Sequence, residues 1–232
     1  MISAIIFDFN GVLVDDEAVH FELFREVLAG EGIALSERAY QAEYLGYDDR
    51  GCFEVALERA GQSNTKGRVD DLIARKASRY AALAETGLRF FPGAAEAVSA
   101  LADRWPLAIC SGALRGEIEF ALARLGVSDR VEAIISAEDT QRCKPDPEGY
   151  LLALEALRSV VGDDLQAGQC LVVEDSLAGV QSAKAAGMWA LAVAHTYPAD
   201  QLRAAGADAV LERLDALDPT RVVRFFNPKV TS

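Results

Sequence analysis

The chain has 232 residues, 51% of them hydrophobic and 25% charged, with a formal net charge of −13. That length suits one large domain or a core with a smaller insert, and the composition is that of a globular protein. The acidic balance argues against nucleic acid and anionic membrane surfaces, which need a basic footprint, so any phosphorylated ligand must be attracted locally, by a metal ion and a few cationic side chains.

Ala4-Ile5-Ile6-Phe7 is an unbroken apolar run that ends in Asp8, with Gly11 three residues on. Such a run, bounded by a turn signal, predicts a strand buried on both faces, as in a parallel sheet. Glu17 to about Ala29 carries Phe21, Phe24 and Leu28 at helical spacing and stops at Gly30 and Gly32. Ser36–Tyr44 and Asp48–Ala60 predict two more helices, the second opening on acidic caps and closing at Gly61. A fourth, from about Arg68 to Ala84, has its apolar stripe at Val69, Leu72, Ile73, Tyr80 and Leu83. Residues 17–87 are therefore helical without a strand, which is too much for one crossover and reads as an inserted helical subdomain.

From Phe90 the pattern changes. Pro92-Gly93 opens a helix to about Asp103, and Leu107–Cys110 is a second apolar run, ending at Ser111-Gly112. A helix with Ile118, Leu122 and Leu125 stops at Gly126, and Val131–Ile135 is a third run. After the Lys144-Pro145-Asp146-Pro147 turn, Tyr150–Val160 is helical. Leu171–Val173 leads to Glu174-Asp175, Leu177–Ala186 is a helix rich in small residues, and Trp189–Val193 and a short Ala209–Leu211 complete the strands. From about Pro219, through Phe225-Phe226 and Pro228, no period is evident. Strand alternating with helix predicts an α/β fold: a Rossmann-like, doubly wound parallel sheet over residues 1–16 and 88–232.

In such a sheet the residues just after the strands share one edge, where open α/β folds bind ligands. They are Asp8, Ser111 and the Glu174-Asp175 pair, with Lys144 on the loop after the third run. Taken singly, each has a plainer reading: a turn, a surface charge, a helix cap. Together they offer a carboxylate nucleophile, a hydroxyl, an ammonium and hard oxygen ligands of the kind Mg²⁺ prefers. Asp8 and Asp175 together suit one ion, which with Lys144 would neutralise a phosphoryl group approaching Asp8.

The order DFNGVLVD, CSGA, KPDP and VVEDSLAGVQSAKAAGM resembles the haloacid dehalogenase superfamily. The helical insert directly after the first motif resembles its β-phosphoglucomutase and phosphoglycolate phosphatase-like branch. The resemblance implies that Asp8 attacks phosphorus and forms an aspartyl-phosphate. It implies Mg²⁺ held by Asp8, the backbone carbonyl of Asn10 and Asp175, with Glu174 assisting directly or through water. Ser111 and backbone N–H groups near Gly112 would hold the phosphoryl oxygens, and Lys144 would balance charge. The implied substrate is a small phosphorylated metabolite. The dehalogenase branch fits less well, because Glu174-Asp175 is a metal-type ending.

One position departs from the pattern. Most phosphatases of this family carry a second Asp two residues after the nucleophile, as general acid and base; here it is Asn10. An amide cannot exchange a proton near neutral pH, and losing such help costs on the order of 10²–10⁴ in rate. Three accounts stand: a slow phosphatase, a proton supplied by Asp15, Asp16 or His20, or a protein that binds phosphorylated ligands without turnover. A β-phosphoglucomutase-like mutase is a further alternative and would need the same proton transfers.

In this family the insert is a mobile cap. Three residues there resemble substrate-facing positions: His20 in DDEAVHF, Arg50 in the LGYDDRG loop and Lys76 in ARKASRY. Cys52, Cys110, Cys143 and Cys170 are scattered, without a CxxC pair or a His cluster, which argues against zinc and for reduced thiols. The first apolar run lacks a basic flank, and no stretch approaches the ~20 residues of a membrane span. The expected location is the cytoplasm.

Overall fold

The computed structural model describes residues 1–45 and 47–226; Pro228 lies outside them. In chain order the elements are β1 (Ala4–Phe7), α1 (Glu17–Ala29), α2 (Glu37–Glu43), α3 (Asp49–Arg59), α4 (Lys66–Gly87), α5 (Ala94–Ala102) and β2 (Leu107–Cys110). They continue with α6 (Arg115–Leu125), β3 (Ala133–Ile135), α7 (Glu148–Val161), β4 (Cys170–Glu174), α8 (Leu177–Ala185) and β5 (Trp189–Val193). Last come α9 (Ala199–Ala204), β6 (Ala209–Leu211) and α10 (Pro219–Phe226).

The chain divides into two compact units, Met1–Val14 with the chain from Phe90 on, and Asp15–Arg89. In the first, six parallel strands form one sheet in the order β3-β2-β1-β4-β5-β6. β1, β2 and β4 are buried at every residue, as their unbroken apolar runs require. Alternate side chains go to opposite faces. Ile6, Ala108 and Val172 pack with Tyr150, Leu154 and Leu157 of α7 and Val180 of α8. Ile5, Phe7, Ile109 and Val173 point the other way and are equally buried, so helices cover both faces. The chain runs from β1 out to β3 and then returns to β4 on the other side of β1. Between β1 and β4 the winding reverses, and ligands of open α/β sheets bind at such a point.

The structure departs from the sequence reading in four places. The third run shortens to Ala133–Ile135, because Ser128–Arg130 forms a 3₁₀ turn. Arg50 lies in the first turn of α3 rather than in a loop. The helix α9 has no counterpart among the predicted elements; at six residues it is too short to show a period. The segment from Pro219 is the helix α10, opened by Asp218, whose Oδ1 accepts from the Arg221 N–H at 2.8 Å. It buries Val222; its apolar residues, Val222, Val223, Phe225 and Phe226, all fall within its last five positions, too short a stretch to show a repeat in the sequence.

The second unit is helical. Phe24, Val27 and Leu28 of α1 pack with Tyr40 of α2, Phe53 and Leu57 of α3, and Val69 and Leu72 of α4. Ser36 and Asp48 cap α2 and α3, accepting from the N–H groups of Ala39 and Gly51 at 3.2 and 2.8 Å. Glu31 ties the α1–α2 loop to α4 through Arg68 and Arg75, both at 2.7 Å. Hydrogen bonds from these two arginines hold its carboxyl below the usual glutamate range. A lowered folded-state pKa stabilises above the unfolded value and loses that effect as pH falls through the folded one. Glu31→Gln is therefore expected to cost the helical unit about 0.5–1 kcal/mol at neutral pH. In urea denaturation followed by circular dichroism, the gap to the parent should close as the pH is lowered through the carboxylate range.

Candidate active site

Asp8 follows β1 directly and is locked into the sheet edge by its own N–H, which donates to the Val173 carbonyl at 2.9 Å. That register sets Asp8 opposite Glu174, the last residue of β4, with Asp175 one step on. Carboxylate oxygens of Asp8, Glu174 and Asp175 all lie within 4.8 Å of one another. Lys144 enters from the loop after β3, next to a cis Lys144–Pro145 peptide. Its Nζ lies 2.8 Å from Asp8 Oδ1 and 2.6 Å from Glu174 Oε1, and it donates to the Cys110 carbonyl at 3.4 Å.

Glu174 is fully buried and heavily bonded. Oε1 accepts from Lys144 and from the Tyr150 hydroxyl at 2.9 Å. Oε2 accepts from the N–H groups of Asp175 and Ser176, each at 2.8 Å, and from the Ser176 hydroxyl at 3.0 Å. An ionised carboxylate has about four lone-pair sites, so these five donors saturate it. Ser176 Oγ in turn caps α8 by accepting from the Gly179 N–H at 3.0 Å. Gly179 is required by the same packing: a Cβ there would lie 1.6 Å from Glu174 Oε1.

Asp175 rests against the turn after Asp8. A Cβ on Gly11 would lie 2.0 Å from Asp175 Oδ2, and Gly11 has φ +75°, so both space and conformation call for glycine. Asp175 Oδ2 also accepts from the Thr196 hydroxyl. The Asn10 side chain turns toward Ser111, whose Oγ lies 3.5 Å from Asn10 Oδ1 and accepts from the Ala113 N–H at 3.2 Å. Gly112 lies between those two contacts in the chain.

The charges in this crevice are unequal. Burial pushes the Asp8 carboxyl up to about 6, with Lys144 opposing and Glu174 adding to the rise. Burial, then Glu174 and Asp8, drive Asp175 well above the usual carboxylate range. Burial would also raise Glu174, but Lys144 and its hydrogen bonds hold it below the ordinary value. Burial works against the Lys144 ammonium, yet Asp8 and Glu174 more than compensate and keep it cationic. Three carboxylates share one ammonium. A divalent cation with hard-oxygen preference fits that imbalance: Asp8 and Asp175 would supply side-chain ligands beside the Asn10 carbonyl, while Glu174 is already committed to Lys144 and the start of α8.

The helical unit holds the other three candidates. His20 and Lys76 meet there: Lys76 Nζ lies 2.7 Å from His20 Nδ1 and 2.5 Å from Asp49 Oδ1. His20 Nε2 lies 3.2 Å from Asp16 Oδ2, which also accepts from the Tyr80 hydroxyl at 2.6 Å. Lys76 is fully buried over the Phe24 ring at 4.4 Å. Arg50 is not in this group; it pairs with Asp70 at 2.6 Å in an exposed position. Sequence reasoning missed Tyr150, Gly179, His195 and Thr196. Tyr150 had a signal, six residues after Lys144 on the helix that follows; Thr196 had none.

Residues 2–187 match the family model described as haloacid dehalogenase-like hydrolase. The chain is 30% identical over 216 residues to validoxylamine A 7'-phosphate phosphatase of Streptomyces hygroscopicus subsp. limoneus, covering 92% of this chain and 95% of that one. It superposes with TM-score 0.85 on β-phosphoglucomutase from Clostridium difficile, at 20% identity and complete coverage of both chains, a likeness of fold. With CbbY from Rhodobacter sphaeroides, solved in complex with phosphate, the TM-score is 0.79 at 25% identity, over 94% of this chain and 96% of that one.

The seat of Glu174 gives a direct test. Gly179→Ala forces a methyl group into its carboxylate and is expected to destabilise the protein by about 1–3 kcal/mol. Gly67→Ala, in α4 with nothing within 4 Å of the added atom, should instead be neutral or stabilising by roughly 0.5–1 kcal/mol. Chemical denaturation of the two variants side by side measures the contrast.

Proposed function

This chain belongs to the haloacid dehalogenase-like hydrolase family, and on that premise we propose that it is a Mg²⁺-dependent phosphatase of a small phosphorylated metabolite, acting through Asp8. The observation that carries the reading is the Lys144 ammonium held between Asp8 and Glu174, with Asp175 alongside. The phosphatase relative, 30% identical along nearly its whole length, supports it, as does the phosphate complex of a structural neighbour.

In this reading an Asp8 oxygen attacks phosphorus, the bond to the leaving oxygen breaks, and that oxygen takes up a proton. Water then attacks the phosphorus of the aspartyl-phosphate, releasing orthophosphate and restoring the carboxylate. Lys144 orients Asp8 and holds its charge; with the Asp8 carboxyl at about 6, the nucleophilic form predominates at neutral pH. Ser111 and the backbone N–H groups near Gly112 receive the phosphoryl oxygens. Asp8, Asp175 and the Asn10 carbonyl would hold a Mg²⁺ ion, which would neutralise charge on those oxygens.

The step this chain is poorly equipped for is proton movement at the leaving oxygen. Asn10 can hydrogen-bond there but cannot donate a proton. Asp8→Asn is expected to abolish phosphate release from a generic phosphate ester with Mg²⁺. Asn10→Asp is expected to raise turnover by ~10²-fold or more, within the range for a general acid–base. Intact mass spectrometry on the unmodified protein should show a phosphate adduct that Asp8→Asn lacks. Equal turnover by the unmodified protein and Asn10→Asp would mean that another group, His20 or Asp15 first, moves the proton.

A further inference from the structure

The loop between β5 and α9 contains two adjacent residues that grip the two sides of the crevice. His195 Nδ1 lies 2.8 Å from the Gly11 carbonyl oxygen, and its ring stacks on Phe91 with centroids 3.8 Å apart and planes 17° from parallel. The next residue, Thr196, donates its hydroxyl to Asp175 Oδ2. A carbonyl can only accept, so Nδ1 carries the proton in this contact.

The Asn10–Gly11 and Gly11–Val12 peptides flank a glycine in the left-handed region. The first is pinned on its N–H side, because Gly11 N–H donates to the Val14 carbonyl at 2.9 Å. The second is pinned on its carbonyl side by His195. With both planes fixed, the single soft residue between them is fixed as well, and with it the direction of the Asn10 carbonyl. Gly11 is the residue for which this matters, since it has the widest φ/ψ freedom. The same two-residue segment of the loop holds the Asp175 carboxylate that lies against Gly11.

We infer that His195 and Thr196 form a positioning pair that sets the Asn10 carbonyl and the Asp175 carboxylate relative to one another for a divalent cation. This rests on the metal-dependent reading of the site and adds residues to it. Neither residue touches the reacting atoms; both act through the groups they hold.

Three variants separate the donor from the ring and the hydroxyl from its shape. His195→Phe keeps a ring to stack on Phe91 and removes the donor. His195→Asn keeps an N–H donor near the Nδ1 position and removes the ring. Thr196→Val keeps the shape and removes the hydroxyl. Mg²⁺ and Mn²⁺ binding to the full chain would be measured by titration calorimetry without substrate, next to the melting temperature of each variant. His195→Phe and Thr196→Val are each expected to weaken cation binding by about 5–10-fold, the loss of one hydrogen bond of ~1 kcal/mol. Their melting temperatures should stay near the parent's, and His195→Asn should bind the cation nearly as well as the parent. If His195→Phe binds like the parent, or if His195→Asn loses as much as His195→Phe, the pair does not position the site. A parent chain that binds neither cation would sink the metal-dependent reading itself, and this proposal with it.

Discussion

One ammonium shared by two buried carboxylates organises this crevice. Lys144 is the cation that the fold brings into contact with Asp8, and it reaches Glu174 at the same time. Burying three acids so close together without it would be costly, because the other donors to Glu174 and Asp175 replace hydration but bring no positive charge. Lys144 therefore does structural work first: it makes the carboxylate cluster possible. Its effect on Asp8 follows from that position, since an ammonium at 2.8 Å limits how far burial can neutralise that carboxylate.

The three acids are not equivalent, and the difference comes from the backbone each one finds. Glu174 sits over the N-terminal end of α8, where orphan N–H groups and the Ser176 cap satisfy it. Gly179 clears the space for it. Asp175, one residue later, points to the opposite wall and meets Gly11 and Thr196. The result is one acid held in low-dielectric surroundings by donors, and two whose charge is poorly compensated by the protein.

Much of this could be read from the sequence. Strands buried on both faces leave unbroken apolar runs, so β1, β2, β4 and β5 are visible in the sequence, and the parallel winding they imply puts Asp8, Ser111, Glu174 and Asp175 on one edge. Lys144 was visible because it lies in a motif of distinctive shape. What stayed hidden depends on distance in three dimensions. Thr196 and His195 sit about 20 and 180 residues from the groups they hold, in a loop with no periodicity. The His20–Lys76 contact joins α1 to α4 across 56 positions, and neither side chain announces the other. The saturation of Glu174 was equally invisible, because counting its donors requires knowing where Tyr150 and Ser176 fall. The helix α10 escaped for a different reason: its apolar residues all fall between Val222 and Phe226, little more than one turn, too short a stretch to show a repeat.

Asn10 shows how far a site can separate its functions. Its backbone is governed by neighbours: the Gly11 N–H bonds Val14, the Gly11 carbonyl meets His195, and the left-handed Gly11 lies between. None of these contacts involves the Asn10 side chain, which faces the Ser111 hydroxyl instead. The direction of the carbonyl is thus set independently of what stands at position 10. An amide there leaves the backbone carbonyl in place and offers no titratable proton. In this architecture a single side chain, rather than any change of fold, determines whether position 10 can exchange a proton.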